Sequence, residues 1–112
     1  MTFSNRSFDR KQDRKVQQLC RQVQRALMYV LPGDIADPML QEVMVESVRP
    51  APDATRLLVV LATSRRACDV PEILRRLDLV RARMRAEVAS AITRKRAPEL
   101  AFQILPTREV RP

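Results

Sequence analysis

One apolar stripe in the first third of the sequence restricts the folds open to this chain. Asp9 and Gln12 resemble a capping box, which predicts a helix start near residue 10, and Pro32-Gly33 predicts its end. Such a helix would be roughly 33 Å long, which is long for a chain of 112 residues. Its apolar residues recur at spacings of three and four, the period of one helix face: Val16, Leu19, Cys20, Val23, Leu27, Val30 and Leu31.

Two strand candidates follow, after a turn at Asp37-Pro38. Residues Glu42 to Arg49 are rich in β-branched side chains but alternate imperfectly, and residues Arg56 to Ala62 are almost wholly apolar. The second pattern is typical of a strand that has a neighbour on each side. Residues 50–54 between them, Pro-Ala-Pro-Asp-Ala, are rich in turn formers. These segments predict an antiparallel hairpin with a longer loop.

A second helical stretch is predicted to start at Asp69. Asp69 and Glu72 have the spacing of a capping box, and Pro71 is tolerated in a first turn. Apolar residues then recur every three or four positions from residue 73 to residue 92. The pattern fits one long helix or two shorter ones with a break near Ala82.

A run of three cations, Arg-Lys-Arg at residues 94–96, is predicted to form the last turn of this stretch. Cations are favoured there because the last carbonyls of a helix carry partial negative charge, and Ala97-Pro98 ends the helix. Leu100, Phe102 and Ile104 then alternate with Ala101 and Gln103, which predicts a third strand.

These elements predict an α+β fold with the order helix, strand, strand, helix (or two helices), strand. Each helical stretch has one apolar stripe, so both are expected to cover the same face of a three-stranded sheet and to leave the other face partly solvated. The length suits a single domain over residues 1–112, with an ordered core over about residues 9–105 and flexible ends.

Composition excludes most catalytic and membrane functions. The chain has no histidine and only one glycine, Gly33, so it lacks the usual general base and cannot form a glycine-rich phosphate loop. Cys20 and Cys68 do not have metal-ligand spacing; Cys20 is expected in the core and Cys68 in a turn. We therefore expect no enzyme activity, cofactor, metal or small-molecule substrate. Without a signal peptide or a long apolar run, we expect a cytoplasmic protein with no membrane partner.

The charge of the chain favours an anionic partner. The net charge is +8, and it is uneven: residues 1–25 hold seven Lys and Arg against two Asp, and residues 81–96 hold six against one Glu. Residues 34–55 reverse the sign, with five acidic residues against one Arg. Nucleic acid is a common partner for a domain with two such basic regions.

The end of the sequence resembles a known family. Residues 84–102, MRAEVASAITRKRAPELAF, contain a helix led by Arg85, a basic residue at Lys95, and Pro98-Glu99-Leu100 with Phe102. This order resembles the closing stretch of bacterial ribosome-binding factor A. The earlier half, with its Arg- and Lys-rich opening helix, Asp37-Pro38 and a strand of Val-x-Val type, agrees with the resemblance, which covers roughly residues 10–105.

The resemblance implies a type II KH-like fold and binding to ribosomal RNA of the small ribosomal subunit during late maturation. This sequence departs from the family pattern at several points. Val80-Arg81-Ala82 stands where the family has an Ala-x-Gly helical kink. Residues 52–56 keep only the aspartate of the family's turn between the strands. Leu105-Pro106 replaces the acidic end of the third strand.

Binding is predicted to use phosphates rather than bases, because only three Phe and one Tyr are available for stacking. The predicted RNA-binding residues form two sets, one on each basic region: Arg10, Lys11, Arg14, Arg21 and Arg25, and Arg81, Arg85, Arg94, Lys95 and Arg96. The protein is expected to act as a monomer. Two alternatives stay open: an interaction module that dimerises through the first helix, and a generic RNA- or DNA-binding domain.

Overall fold

The computed structural model describes the backbone of residues 3–63, 69–92 and 96–105, and their side chains except at residues 3–12 and residue 34. The predicted α+β order is confirmed, with two helices before the last strand. The elements are α1 (Phe3–Tyr29), β1 (Val43–Pro50), β2 (Arg56–Thr63), α2 (Val70–Leu79), α3 (Arg81–Ala91) and β3 (Glu99–Leu105). No helix in the described part is both long and apolar enough to cross a membrane.

Helix α1 is longer than predicted. It starts at Phe3 and has 27 residues, so the predicted start near residue 10 is wrong. A capping pair such as Asp9 and Gln12 favours a helix start, but it does not interrupt a helix that can propagate past it. After Tyr29 the chain widens into one π-helical turn, Val30–Asp34, which contains Pro32-Gly33.

The three strands form one mixed sheet in the order β1-β2-β3. Strands β1 and β2 are antiparallel, as predicted, and β3 lies parallel to β2 with Leu57 opposite Leu100. The register of β1 shifts between Val45 and Ser47, because Glu46 is the extra residue of a bulge. The bulge explains the imperfect alternation of the β1 sequence, since it keeps both Val45 and Val48 on the core side.

The core lies on one face of this sheet, as the two apolar stripes predict. Leu57, Val59 and Leu61 of β2 are fully buried in a cluster with the stripe of α1. Cys20 is buried in the same cluster, as predicted, whereas Cys68 lies outside the described residues. The opposite face carries the alternate residues of β2, of which Val60 is buried outside that cluster.

The second helical stretch is broken at Val80, whose φ of −107° and ψ of 10° leave the helical region. The break is two residues before Ala82, and it needs no glycine because φ is negative. The predicted cap of α2 is confirmed: the Asp69 carboxylate accepts a hydrogen bond of 3.1 Å from the Glu72 amide.

The end of the second stretch was predicted wrongly. Helix α3 ends at Ala91, and Ile92 is extended at φ −115° and ψ 158°. The apolar period misleads here because Ile92 stays buried although the helix has ended. Arg96 therefore lies beyond the last turn of α3, and Arg94 and Lys95 lie outside the described residues.

Two leucines of α2 provide a matched test of this packing. Leu77 is fully buried and Leu79 is 71% exposed. We expect Leu77→Ala to lower the free energy of unfolding by about 2–5 kcal/mol, because it removes core contacts and leaves a cavity. Leu79→Ala should change it by less than about 0.5 kcal/mol. Urea unfolding followed by circular dichroism measures both, and equal losses would contradict the described face of α2.

Candidate nucleic-acid interface

The β1–β2 loop, residues 51–55, lies between the two predicted basic sets. Asp53 organises it, because its carboxylate accepts hydrogen bonds from the hydroxyl and the amide of Thr55, at 2.6 and 2.9 Å. These bonds, the hydroxyl bond above all, lower the pKa of Asp53. The Thr55 carbonyl accepts a bond of 2.9 Å from the Glu99 amide, so the loop is held against the start of β3.

On one side of the loop, a groove separates it from α1. We call this the α1 groove. Arg21 lines it from the helix, Arg49 from the end of β1, and Pro52 and Ala54 from the loop. Arg25 lies one turn beyond Arg21 and lines an adjoining hollow. Arg21 and Arg25 are both exposed, because they lie off the apolar stripe that packs in the core.

On the other side of the loop, a second groove separates it from α3 and the start of β3. We call this the α3 groove. Pro52 and Ala54 line it as well, so the two grooves meet at the loop. Its basic side chains are Arg56, Arg85 and Arg96, all exposed. The structure thus brings residues from both predicted sets around one loop, although Arg21 and Arg85 are far apart in the chain.

Arg81 has a different environment from the other predicted residues. Its guanidinium donates to the Asp78 carboxylate at 3.1 Å and to the Leu100 carbonyl, and it lies 5.2 Å from the centre of the Phe102 ring. These contacts tie the α2–α3 junction to β3. Arg81 lines a hollow that adjoins the α3 groove and shares Arg56 and Arg85 with it. Because its own protein holds it there, fewer of its donors are available to a ligand.

The other predicted residues are placed less completely. Arg14 is exposed on α1, seven positions before Arg21 and hence on the same helix face. Arg10 and Lys11 lie in α1, but their side chains are outside the described part of the structure, as are Arg94 and Lys95 entirely. Arg85 donates a hydrogen bond of 3.3 Å to the Ala97 carbonyl, which holds its side chain over the segment that leads into β3.

Sequence reasoning missed Arg56 and Arg49. Arg56 is the first residue of β2 and lies opposite Glu99 of β3, with its side chain in the α3 groove. Arg49 lies near the end of β1 and lines the α1 groove. Arg49 precedes the turn cluster at residues 50–54 and Arg56 follows it. A basic residue on each side of a predicted loop was the sequence pattern that could have indicated both.

Two arginines of α2 are engaged in an ion-pair network away from the grooves. Arg76 donates to Asp37 at 2.9 Å and to Glu72 at 2.8 Å, and Arg75 donates to Glu72 at 2.7 Å. The hydrogen bonds from Arg75 and then Arg76 lower the pKa of Glu72 to about 2. The network fixes α2 to the turn that follows α1.

The element order, the mixed three-stranded sheet and the helices on one face define a type II KH-like α+β domain. Among solved structures, the chain is similar to the crystal structure of ribosome-binding factor A from Thermus thermophilus, with a TM-score of 0.70 and 29% identity over 80% of this chain and 93% of that one. It is also similar to a homology model of the Thermus thermophilus factor, fitted into a cryo-EM map of a 30S complex, with a TM-score of 0.63 and 31% identity over 80% of this chain and 92% of that one. The chain belongs to the ribosome-binding factor A family.

Searches with protein-family models and among curated proteins gave no match. The family membership therefore rests on the shared fold and on the identity over nearly the whole length of the solved structures.

The Glu72 network predicts a specific loss of stability in acid. Because the pKa of Glu72 is about 2 in the folded chain against an ordinary 4.5, its ionised form stabilises the fold above about pH 4.5, and this contribution is lost as the pH falls towards 2. Glu72→Gln should therefore lower the melting temperature at pH 6, and the difference from the parent chain should shrink between pH 4.5 and 2.

The control for this measurement is Glu46→Gln, which changes an exposed carboxylate on β1. The parent chain and the control should lose stability in parallel on acidification. A difference between the parent chain and Glu72→Gln that stays constant from pH 6 to pH 2 would contradict the assignment.

Proposed function

We propose that the chain binds ribosomal RNA of the small ribosomal subunit, as a monomer in the cytoplasm during late maturation of the subunit, and catalyses no reaction. Family membership supports the choice of partner, since the relative from Thermus thermophilus was fitted into the map of a 30S complex. The observation that carries the proposal is the convergence of exposed arginines from α1, β2 and α3 around the β1–β2 loop.

The proposed contacts are with phosphates. A guanidinium group is always charged and donates in a planar fork, so it binds phosphate oxygens in pairs. Arg21 and Arg25 would bind on the α1 side of the loop, and Arg56, Arg85 and Arg96 on the α3 side. Structured RNA can be held in this way by charge and shape, without reading the edges of its bases.

Two alternative functions fit the structure less well. A dimer formed through α1 would need its apolar stripe, but Leu19, Val23 and Leu27 are buried in the core of the same chain. A DNA-reading domain would need a helix with polar base-reading side chains, and α3, RARMRAEVASA, has no Asn or Gln. The exposed basic surface remains the feature best suited to a large anionic partner.

Two arginines of α3 allow a test in which both variants lose the same single positive charge. Arg85 lines the α3 groove, and Arg83 is exposed on the same helix but lines neither groove. We expect Arg85→Gln to weaken binding to purified small subunits about tenfold, which is about 1.4 kcal/mol, because a phosphate contact is lost. Arg83→Gln should weaken it less than about twofold, since only the long-range field changes. Pelleting with a labelled protein gives both affinities.

Circular dichroism and urea unfolding are the controls, and we expect both variants to keep the fold. Equal weakening by the two substitutions would show that net charge alone governs binding, and it would overturn the α3 groove as a contact site. Unchanged binding by Arg85→Gln would also overturn it.

A further inference from the structure

The last residue of α1, Tyr29, exposes a large aromatic ring that makes no contact with the core. It is 76% exposed, more than any other described large apolar residue, and the neighbouring Met28 is 56% exposed. Neither belongs to the core cluster or packs against it. Most of the large apolar side chains that the structure describes are buried, so a ring and a thioether exposed side by side indicate a contact made outside the chain.

The surroundings of this ring are basic. Tyr29 and Met28 line a shallow hollow of about 480 Å³ with Arg21, Gln24 and Arg25. We call this the Tyr29 hollow. Arg25 and Arg21 precede Tyr29 by one and two helical turns, so the three residues form one ridge along α1. None of the described residues that line the hollow is acidic.

This combination fits a nucleotide better than it fits an apolar protein segment. A nucleobase offers a flat face for an aromatic ring, and its phosphates require cations close by. The Gln24 amide can both donate to and accept from the edge of a base. A purely apolar partner in this hollow would lie against two exposed guanidinium groups, and these would lose water without gaining an anion.

We propose that Tyr29 stacks on an unpaired nucleobase of a single-stranded RNA segment, while Arg25 and Arg21 bind the phosphates beside that base. The inference rests on the proposed binding of ribosomal RNA and deepens it, because it assigns an unpaired segment to one end of the interface. Arg21 also lines the α1 groove, so the RNA strand continues from the Tyr29 hollow towards the β1–β2 loop.

The composition of the chain makes this inference directly measurable. Tyr29 is the only tyrosine and the chain has no tryptophan, so the intrinsic tyrosine emission comes from this one ring. A stacked base quenches such emission. We expect a short oligouridylate to lower the tyrosine emission on binding, and an abasic ribose-phosphate chain of the same length and charge to leave it unchanged. The emission intensity is corrected for light absorbed by the RNA.

Affinity measured with end-labelled oligouridylate provides the second readout. Tyr29→Ala should weaken binding roughly 5- to 100-fold, the range expected for one stacked base. Tyr29→Phe keeps the ring and should stay within about twofold of the parent chain. Met44→Ala is the control for loss of an exposed apolar side chain elsewhere, since Met44 is 63% exposed on β1, and it should have no effect.

Failure of this inference can be told apart from failure of the proposed function. Unchanged tyrosine emission on saturation with oligouridylate, after correction for absorption by the RNA, or equal affinities for the parent chain and Tyr29→Ala, would overturn the stacking inference. Binding of intact small subunits that depends on Arg85 would then still support the proposed function. Quenching by oligoglutamate as strong as that by RNA would assign the Tyr29 hollow to an acidic protein partner and would also overturn the inference.

Discussion

The parallel pairing of β3 with β2 is the constraint on which the proposed interface depends. It places Glu99 opposite Arg56 and brings the Glu99 amide within 2.9 Å of the Thr55 carbonyl. Two strands that run parallel must be joined by a crossover, and here the crossover is α2 and α3. The end of that crossover therefore returns to the β1–β2 loop, and Arg85 and Arg96 arrive beside a loop whose other side faces α1.

Two groups of arginines differ in their contacts within the described part of the chain. Arg75, Arg76 and Arg81 are held by carboxylates or a carbonyl of the same chain, and they fix α2 and the α2–α3 junction. The arginines that line the grooves are exposed, and the one hydrogen bond described for Arg85 is a long bond to the Ala97 carbonyl. A net charge of +8 alone could not distinguish these groups. Arg83 belongs to neither group, since it is exposed but lines neither groove, and it is therefore expected to differ in function from Arg85.

The sequence was sufficient to predict the order of the elements, because helical and strand periods are local properties. Element ends were predicted less well. The continuing apolar period hid the end of α3 at Ala91, and the break falls at Val80 rather than Ala82. In the family pattern a glycine stands at the kink. Here Arg81 stabilises the α2–α3 junction, because its guanidinium donates to the Leu100 carbonyl and lies over the Phe102 ring. That contact joins residues about twenty positions apart, so no local pattern could predict it.

The candidate site could be predicted only in part, because it too depends on contacts between residues that are distant in the sequence. Local charge was enough to predict both basic sets, but it could not place them around one loop, since their meeting depends on the pairing of β2 with β3. Arg56 was assigned only to a strand, although its side chain lines the α3 groove. Tyr29 received no role because aromatic residues are few, and only the fold reveals how far its ring is exposed. The exposure of a side chain and its neighbours in space depend on the tertiary structure, so the sequence alone could not predict the roles of Arg56 and Tyr29.

The central claim is that this fold gathers cationic side chains to neutralise the phosphates of ribosomal RNA. Its most direct test is the affinity of the parent chain for small-subunit ribosomal RNA at several salt concentrations. If about five phosphates are neutralised, the logarithm of the affinity should fall with the logarithm of the salt concentration with a slope of about −4 to −5. A slope near zero would contradict the account, because it would mean that binding releases no counterions and that the arginines around the loop do not hold the RNA.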